Sequence, residues 1–364
     1  MRSTRISIFV TMLIFIGIGV VMIYSASSIP MWQSTGESAS LLKKQILYLA
    51  IGFVAMFLAM AIDYHQLCKI SKPLLVIAVI PLVLVLVPGL SREVGGAKRW
   101  LHAFGMNYQP SEFVKIALII YLADFINRRH NYLKDFWRGF VPPMAVLGVV
   151  TLLVLLQPDL GTAISLVVLV FAMLFVSGVR PSHLFLSIVA ALPFLYILVF
   201  SVPYRRARIL AFLNPWLDPK GSGFQIIQSQ IALGSGGLWG VGLGQGRQKL
   251  FYLPAAHTDF IFSIIGEELG LLGAGLVILL FIFLIWKMAR IVRSVNDPFG
   301  KLICIGILTL IAFSAMVNIG VSIGSLPTKG LPLPFISYGG SSLIFHMVAI
   351  GLLLNISKTE EVTL

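Results

Sequence analysis

The chain has 364 residues, 58% of them hydrophobic and only 11% charged, with a mean hydropathy of +0.96 and a formal net charge of +13. This composition defines a polytopic membrane protein. The Lys and Arg residues are divided between the two membrane faces, which excludes nucleic acid as their partner and points to anionic lipid. Cys68 and Cys304 fall in separate segments and offer neither metal spacing nor a disulfide framework.

Apolar stretches of spanning length predict helices near 6–25, 45–62, 73–90, 111–126, 140–157, 159–178, 183–202, 260–286, 301–321 and 340–357. The first follows Arg2 and Arg5 and ends in the small residues Ser25, Ala26 and Ser27, like a signal peptide. Its run of about 20 apolar residues exceeds the roughly 7–15 of a signal h-region, so it reads as a first span. The fold class expected is an all-α polytopic membrane protein with ten transmembrane helices and a large extracytoplasmic loop between helices 7 and 8. Placing both termini in the cytoplasm puts fourteen Lys and Arg in the inner loops, against six in the short outer ones: Lys43, Lys44, Arg92, Lys98, Arg99 and Lys329.

The loop before the fourth span reads VGGAKRWLHAFGMNYQPSEFVK, with Pro110 at a first helical position. Glu112 and Lys115 are three apart on one helix face, which suits either a packing ion pair or a polar cavity lined by Lys115 and Arg99. Gln157-Pro158-Asp159 repeats the Gln-Pro start, and Asp159 fits a helix cap as well as a site residue. The long segment 203–258 is exempt from charge sorting. It carries Arg205, Arg206, Arg208, Lys220, Arg247 and Lys249 around the glycine-rich GSGGLWGVGLGQG of residues 234–246. Arg forks and glycine amides suit an anionic headgroup such as a pyrophosphate, while the plainer alternative is contact with lipid phosphates.

His257, Thr258 and Asp259 form a polar cluster directly before an apolar helix that carries Glu267 and Glu268. Ionisable groups at such depth usually serve a function. Asp259 also fits an N-cap. The adjacent glutamates point about 100° apart, so at most one is expected to face any given cavity, and both read as structural. In LPTKGLPLPFISYGGSS, residues 326–342, Pro327, Pro332 and Pro334 forbid a continuous helix while Phe335 and Ile336 are too apolar for an aqueous loop. Broken backbone at membrane depth must be buried or line a cavity, so Lys329, Ser337, Tyr338, Gly339 and Gly340 are assigned to a site or its floor.

Together, VMIYSAS, GGAKRWL, QPSEFVK, QPDLGTA, LNPWLDP, GFQIIQSQIALGSGGLWGVGLGQG, KLFYLPAAHTDFIFSIIGEELG and LPTKGLPLPFISYGGSS resemble the signature blocks of the SEDS family (shape, elongation, division, sporulation) over nearly the whole chain. Pro327-Thr328-Lys329-Gly330 is more similar to the division branch, FtsW, than to the elongation branch, RodA, and the sporulation paralogue SpoVE has similar blocks. The resemblance implies one SEDS-type domain over 1–364 that polymerises lipid II into β-1,4-linked glycan on the outer face of the bacterial cytoplasmic membrane. It also implies a class B penicillin-binding protein as crosslinking partner, within the division or elongation machinery.

The family's catalytic aspartate maps to Asp259, and its cavity residues to Arg99, Trp100, Glu112, Lys115 and Asp159. A sugar hydroxyl needs a base within reach as it attacks, the role this implies for Asp259. The departing polyprenyl pyrophosphate needs cations placed in advance, assigned to Arg99, Lys115, Arg205, Arg208 and Lys249, with a divalent cation (Mg or Mn) as a further candidate. His257 and Thr258 would orient Asp259 or touch substrate. One displacement on an α-linked donor implies inversion. Two departures stand out: Ala255 replaces the family's glutamate in Pro-Glu-Ala-His, and Gly95 replaces a frequent Asn. The rival readings are a lipid II flippase, which a broken helix with a charged site also suits, and a scaffold for the crosslinking enzyme.

Overall fold

The computed structural model describes residues 1–94, 97–103, 106–250 and 252–362; Gly95 lies outside the described residues. Helices α1 (Arg2–Thr35), α2 (Ser40–Ala61) and α3 (His65–Leu84) lead into an antiparallel sheet of β1 (Ser91–Val94), β2 (Ala97–Ala103) and β3 (Met106–Tyr108), ordered β1-β2-β3. Then come α4 (Pro110–Arg128), α5 (Val141–Leu156), α6 (Leu160–Val176), α7 (Pro181–Phe200), α8 (Pro203–Leu213), α9 (Phe224–Ser235), α10 (Ile261–Ser294), α11 (Pro298–Ser322) and α12 (Gly340–Val362). Eight helices are long and apolar enough to cross a membrane: α1, α2, α3, α5 with the turn before it, α7, α10, α11 and α12. At the other two predicted positions α6 is a shorter apolar helix of 17 residues, and α4 carries Glu112, Lys115, Asp124 and Arg128.

Helix starts follow local chemistry. Pro110, Pro181, Pro203 and Pro298 occupy first-turn positions, where a missing N–H costs nothing. The Asp297 carboxylate accepts the Gly300 amide at 2.7 Å to cap α11. At the centre, α11 packs on α4, α6 and α10, while α12 packs on α2; α7 buries only Leu184 among its residues and leaves the rest of its surface outward.

Three expectations change. The segment before α4 is a small sheet, with Leu101 paired to both Ser91 and Tyr108, and not a plain loop. Segment 203–258 contains α8 and α9. And α10 is broken at Gly270, whose φ of 69° and ψ of −168° leave the helix. A Cβ there would lie 2.5 Å from the Leu238 carbonyl, so both backbone angle and proximity require glycine. The glycine-rich loop takes up the freed groups: Val241 and Gly242 donate to the Glu267 and Glu268 carbonyls at 3.0 and 3.1 Å, and Leu271 donates to Gly237 at 2.9 Å.

The proline-rich segment between α11 and α12 is non-helical, as its sequence predicts, with Leu331, Leu333, Phe335 and Ile336 buried. Gly19 of α1 lies against it, where an added Cβ would stand 2.9 Å from the Ile336 Cα. The broken backbone is thus enclosed by protein.

Candidate active site

A cavity of about 370 Å³ opens where β2 and the starts of α4 and α12 meet the loop before α10. Its walls include Arg99, Trp100, His257, Thr258, Asp259, Tyr338, Gly339 and Gly340 of the predicted set, together with Tyr48, Asn107, Gln109, Gly330, Pro332 and Ser342. The loop bearing Asp259 is a tight turn organised by one carbonyl. Ala255, at φ 57°, accepts N–H groups from Thr258 at 3.0 Å and Asp259 at 3.1 Å, and the Thr258 hydroxyl at 3.2 Å. A non-glycine residue in that region stores backbone strain. The family's glutamate position is therefore the pivot of the turn, through its backbone.

The proline-rich segment is laced to this turn. Asn318 of α11 donates to the carbonyls of both Asp259, at 3.0 Å, and Leu331, at 2.9 Å. Ser337 donates to the Thr258 carbonyl at 2.6 Å and accepts the Leu333 amide at 2.8 Å; Tyr338 donates its amide to the His257 carbonyl at 2.9 Å. Ser337 thus holds backbone in place. Gly330 brings the chain so near that a Cβ would stand 3.1 Å from Asp259 Oδ2.

Asp259 is half-buried on the cavity wall, and its helix starts at Ile261 with Phe260 as the capping position and no side-chain cap bond. The carboxylate is therefore free of capping duty. Desolvation pushes its pKa up to about 6 against the opposing pull of Arg208 and then Arg99, while the Asp159 charge adds to the rise. Burial lowers the pKa of His257, favouring neutral imidazole, and lowers that of Lys329.

Arg99 spans three groups. Its Nε donates to the Gln157 carbonyl at 3.1 Å, a second nitrogen to the Pro158 carbonyl, and Nη1 lies 3.8 Å from Asp159 Oδ1. Asp159 is the cap that Asp259 is not: it accepts the Thr162 amide at 3.1 Å and the Thr162 hydroxyl at 2.9 Å.

The remaining predicted residues lie elsewhere. Glu112 and Lys115 are buried and paired at 2.8 Å within α4, away from the cavity wall. Lys249 is buried in an ion pair of 2.6 Å with Glu268 and donates to Ser25 at 2.8 Å, so it does not present its charge to the cavity. Arg205 donates to the Leu198 carbonyl at 3.0 Å. Arg208 lies over the Tyr204 ring at 4.4 Å and donates to the Thr328 carbonyl at 3.3 Å in an adjoining pocket, its charge still felt by Asp259. Lys329 sets its Cβ 3.7 Å from where a Gly161 side chain would begin, beside Asp159.

The glycine-rich loop holds the protein's own carboxylates. Gly244 donates to Glu268 at 3.0 Å and Arg247 to Glu267 at 2.7 Å. A Cβ on Gly246 would meet Glu267 Oε2 at 2.9 Å and Glu268 Oε1 at 3.0 Å, so both glutamates converge on one loop despite their helical offset. Sequence reasoning missed Tyr48, Asn107, Ser342 and Asn318. Only Asn318, a lone amide inside the apolar α11, carried a signal.

Fold and cavity define an all-α polytopic membrane protein with a carboxylate and an arginine, Asp259 and Arg99, in one polar cavity at a helix-bundle end. Residues 5–362 match the family described as cell cycle protein, FtsW/RodA/SpoVE, and the chain belongs to that family. It is 48% identical to the probable peptidoglycan glycosyltransferase FtsW of Geobacter metallireducens, over 95% of this chain and 92% of that one. It is 45% identical to the stage V sporulation protein E of Bacillus subtilis, over 95% and 94%. Among solved structures, a chain from a study of structural coordination of polymerization and crosslinking by a peptidoglycan synthase complex superposes with a TM-score of 0.81 at 31% identity, covering 97% of each. The rod shape determining protein RodA of Thermus thermophilus gives 0.69 at 27%, covering 97% of this chain and 96% of that one.

Proposed function

We propose that the protein is a peptidoglycan glycosyltransferase that polymerises lipid II for cell division, with Asp259 as general base. The observation that carries this reading is a half-buried carboxylate in a cavity with Arg99, its pKa pushed up to about 6 and relieved of any capping role. In the proposed step the acceptor's 4-hydroxyl oxygen bonds to the donor's anomeric carbon from the face opposite the leaving group. The bond to the polyprenyl pyrophosphate breaks, its electrons leave with the pyrophosphate, and the hydroxyl proton passes to Asp259. A base with a pKa near 6 is ionised at neutral pH yet basic enough to take that proton. Arg99 and Arg208 supply positive charge for the leaving group; Trp100, His257 and Thr258 shape the acceptor side. Asp159 holds Arg99 from behind the wall, with Lys329 beside it, and Ser337 braces the turn that carries Asp259.

We extend the proposal to topology: ten spans including α4 and α6, both termini cytoplasmic, the cavity and segment 203–258 outside, and residues 1–364 as one SEDS-type domain. A class B penicillin-binding protein is the proposed crosslinking partner, a reading supported by likeness to a chain from a peptidoglycan synthase complex that coordinates polymerization and crosslinking. A divalent cation fits as a guest of protein and substrate jointly. Among the described residues no three His, Cys, Asp or Glu cluster for a metal, yet the Asp159 charge is felt at Asp259. One or two carboxylates plus substrate phosphates is a usual Mg²⁺ arrangement. Bound there, it would neutralise pyrophosphate charge.

The test is polymerisation of purified lipid II by reconstituted protein, with and without a cognate class B partner, across pH. Turnover should rise about tenfold per unit below pH 6 and level off above it. No glycan under any condition would return weight to transport or scaffolding. Gly330→Ala should slow polymerisation roughly tenfold with unchanged thermal stability, because its Cβ would press on Asp259 Oδ2. Unchanged turnover would mean that the carboxylate position is not critical.

A further inference from the structure

A second cavity, about 460 Å³, lies between the far ends of α4, α6 and α11 and is lined by Asn127, His130, Val176, Lys301 and Ile305 among others. Three helices run from it to the cavity that holds Asp259, ending at Gln109 on the cavity wall, at Asp159 against Arg99 and at Asn318 on the Asp259 carbonyl. Gln109 to Ile126, Asp159 to Val176 and Lys301 to Asn318 are each seventeen residues, about 25 Å at 1.5 Å per residue. That approaches the ~30 Å thickness of a bilayer core, so the two cavities open at opposite membrane faces.

The flanking chain at this end is basic: Arg128, Arg129, Lys134 and Arg180. Arg128 pairs with Asp124, and Arg129 donates to the Arg138 carbonyl at 3.1 Å. Lys301 and His130, by contrast, are exposed at the cavity and form no ion pair among the described residues. The cavity therefore joins an unneutralised cation, an imidazole and the Asn127 amide to an apolar wall of Val176 and Ile305.

We propose that this pocket binds an acidic phospholipid of the inner leaflet, with its phosphodiester between Lys301 and His130 and an acyl chain along Val176 and Ile305. Basic pockets between membrane helices suit such headgroups. The apolar wall selects a lipid over free phosphate, which would leave that wall wet. The same three helices carry Gln109, Asp159 and Asn318 at the opposite face, so bound lipid would brace their inner ends. The proposal rests on fold and orientation and is independent of the glycosyltransferase reading.

The experiment is native mass spectrometry of the delipidated full chain titrated with phosphatidylglycerol or phosphatidylcholine. Wild type should retain phosphatidylglycerol several-fold better. Lys301→Gln should cut that preference about fivefold, the effect expected of one cation at a lipid surface. Lys287→Gln, removing a cation that lies over the Phe283 and Trp286 rings, should leave it intact. His130→Gln provides a second variant, with a two- to threefold loss expected, if Lys301→Gln is not monodisperse. Equal retention of the two lipids, equal loss in the Lys287 control, or displacement of the lipid by soluble glycerol phosphate would each overturn the proposal.

Discussion

Asp259→Asn is expected to abolish glycan synthesis, by at least 10²-fold, while leaving the protein as stable as wild type or more so. The loss follows from chemistry: an amide cannot accept the acceptor's proton. The stability gain follows from linkage. The folded-state pKa of about 6 lies above the ordinary 3.8, so the native state binds the proton more tightly than the unfolded chain. The stability that protonation confers is present below pH 3.8 and is lost as pH rises through 6. At neutral pH the ionised carboxylate costs the fold about 1–2 kcal/mol, a full desolvation cost discounted because the cavity admits water. Asn removes that charge at nearly constant volume. No cap is lost, since α10 starts beyond Phe260 without a side-chain cap bond. Polymerisation and thermal unfolding of both proteins, run at pH 7.5 and pH 5, check this. The stability difference should shrink at pH 5. An Asn variant that polymerises at a third of the wild-type rate would remove Asp259 from the base role.

Most of the bundle was legible because each crossing helix needs its own long apolar run, which composition alone reveals. What was not legible depends on partners distant in sequence. Asp159 and Asp259 look alike as sequence, each a short acid following polar residues at the mouth of an apolar run. The distinction is one residue: Leu160 begins α6 directly after Asp159, whereas Phe260 intervenes before α10. The sheet of residues 91–108 escaped notice because its strands have 4, 7 and 3 residues, too few for a period-two pattern to register. Lys249 suggests a substrate cation from its place in a basic, glycine-rich segment, and Lys115 from the family resemblance, with a packing ion pair to Glu112 as the alternative. Whether a lysine faces a cavity or a carboxylate is decided by packing, and here both face glutamates. The turn at Ala255 is the reverse case: the side chain departs from the family pattern, yet the carbonyl does the organising.

Lys249→Met is expected to destabilise the protein by about 3–5 kcal/mol, because it would leave the buried Glu268 carboxylate without its counter-ion. Glu268 would keep only the Ser25 hydroxyl, at 2.7 Å, and the Gly244 amide, at 3.0 Å. These two bonds tie α1 and the glycine-rich loop to α10, and Lys249 joins all three. Removing both charges together, in Lys249→Met with Glu268→Gln, should recover more than half of the loss, since a glutamine oxygen still accepts both bonds and no charge is left buried. Polymerisation should fall in parallel with stability. The loop held by Glu267 and Glu268 runs on through Lys249 to the turn at Ala255 that aims Asp259, so loosening the clasp misplaces the base. Thermal unfolding and polymerisation of the single and double variants separate this from a substrate-binding role. A lysine that held pyrophosphate would lose activity at unchanged stability, and adding Glu268→Gln would restore neither.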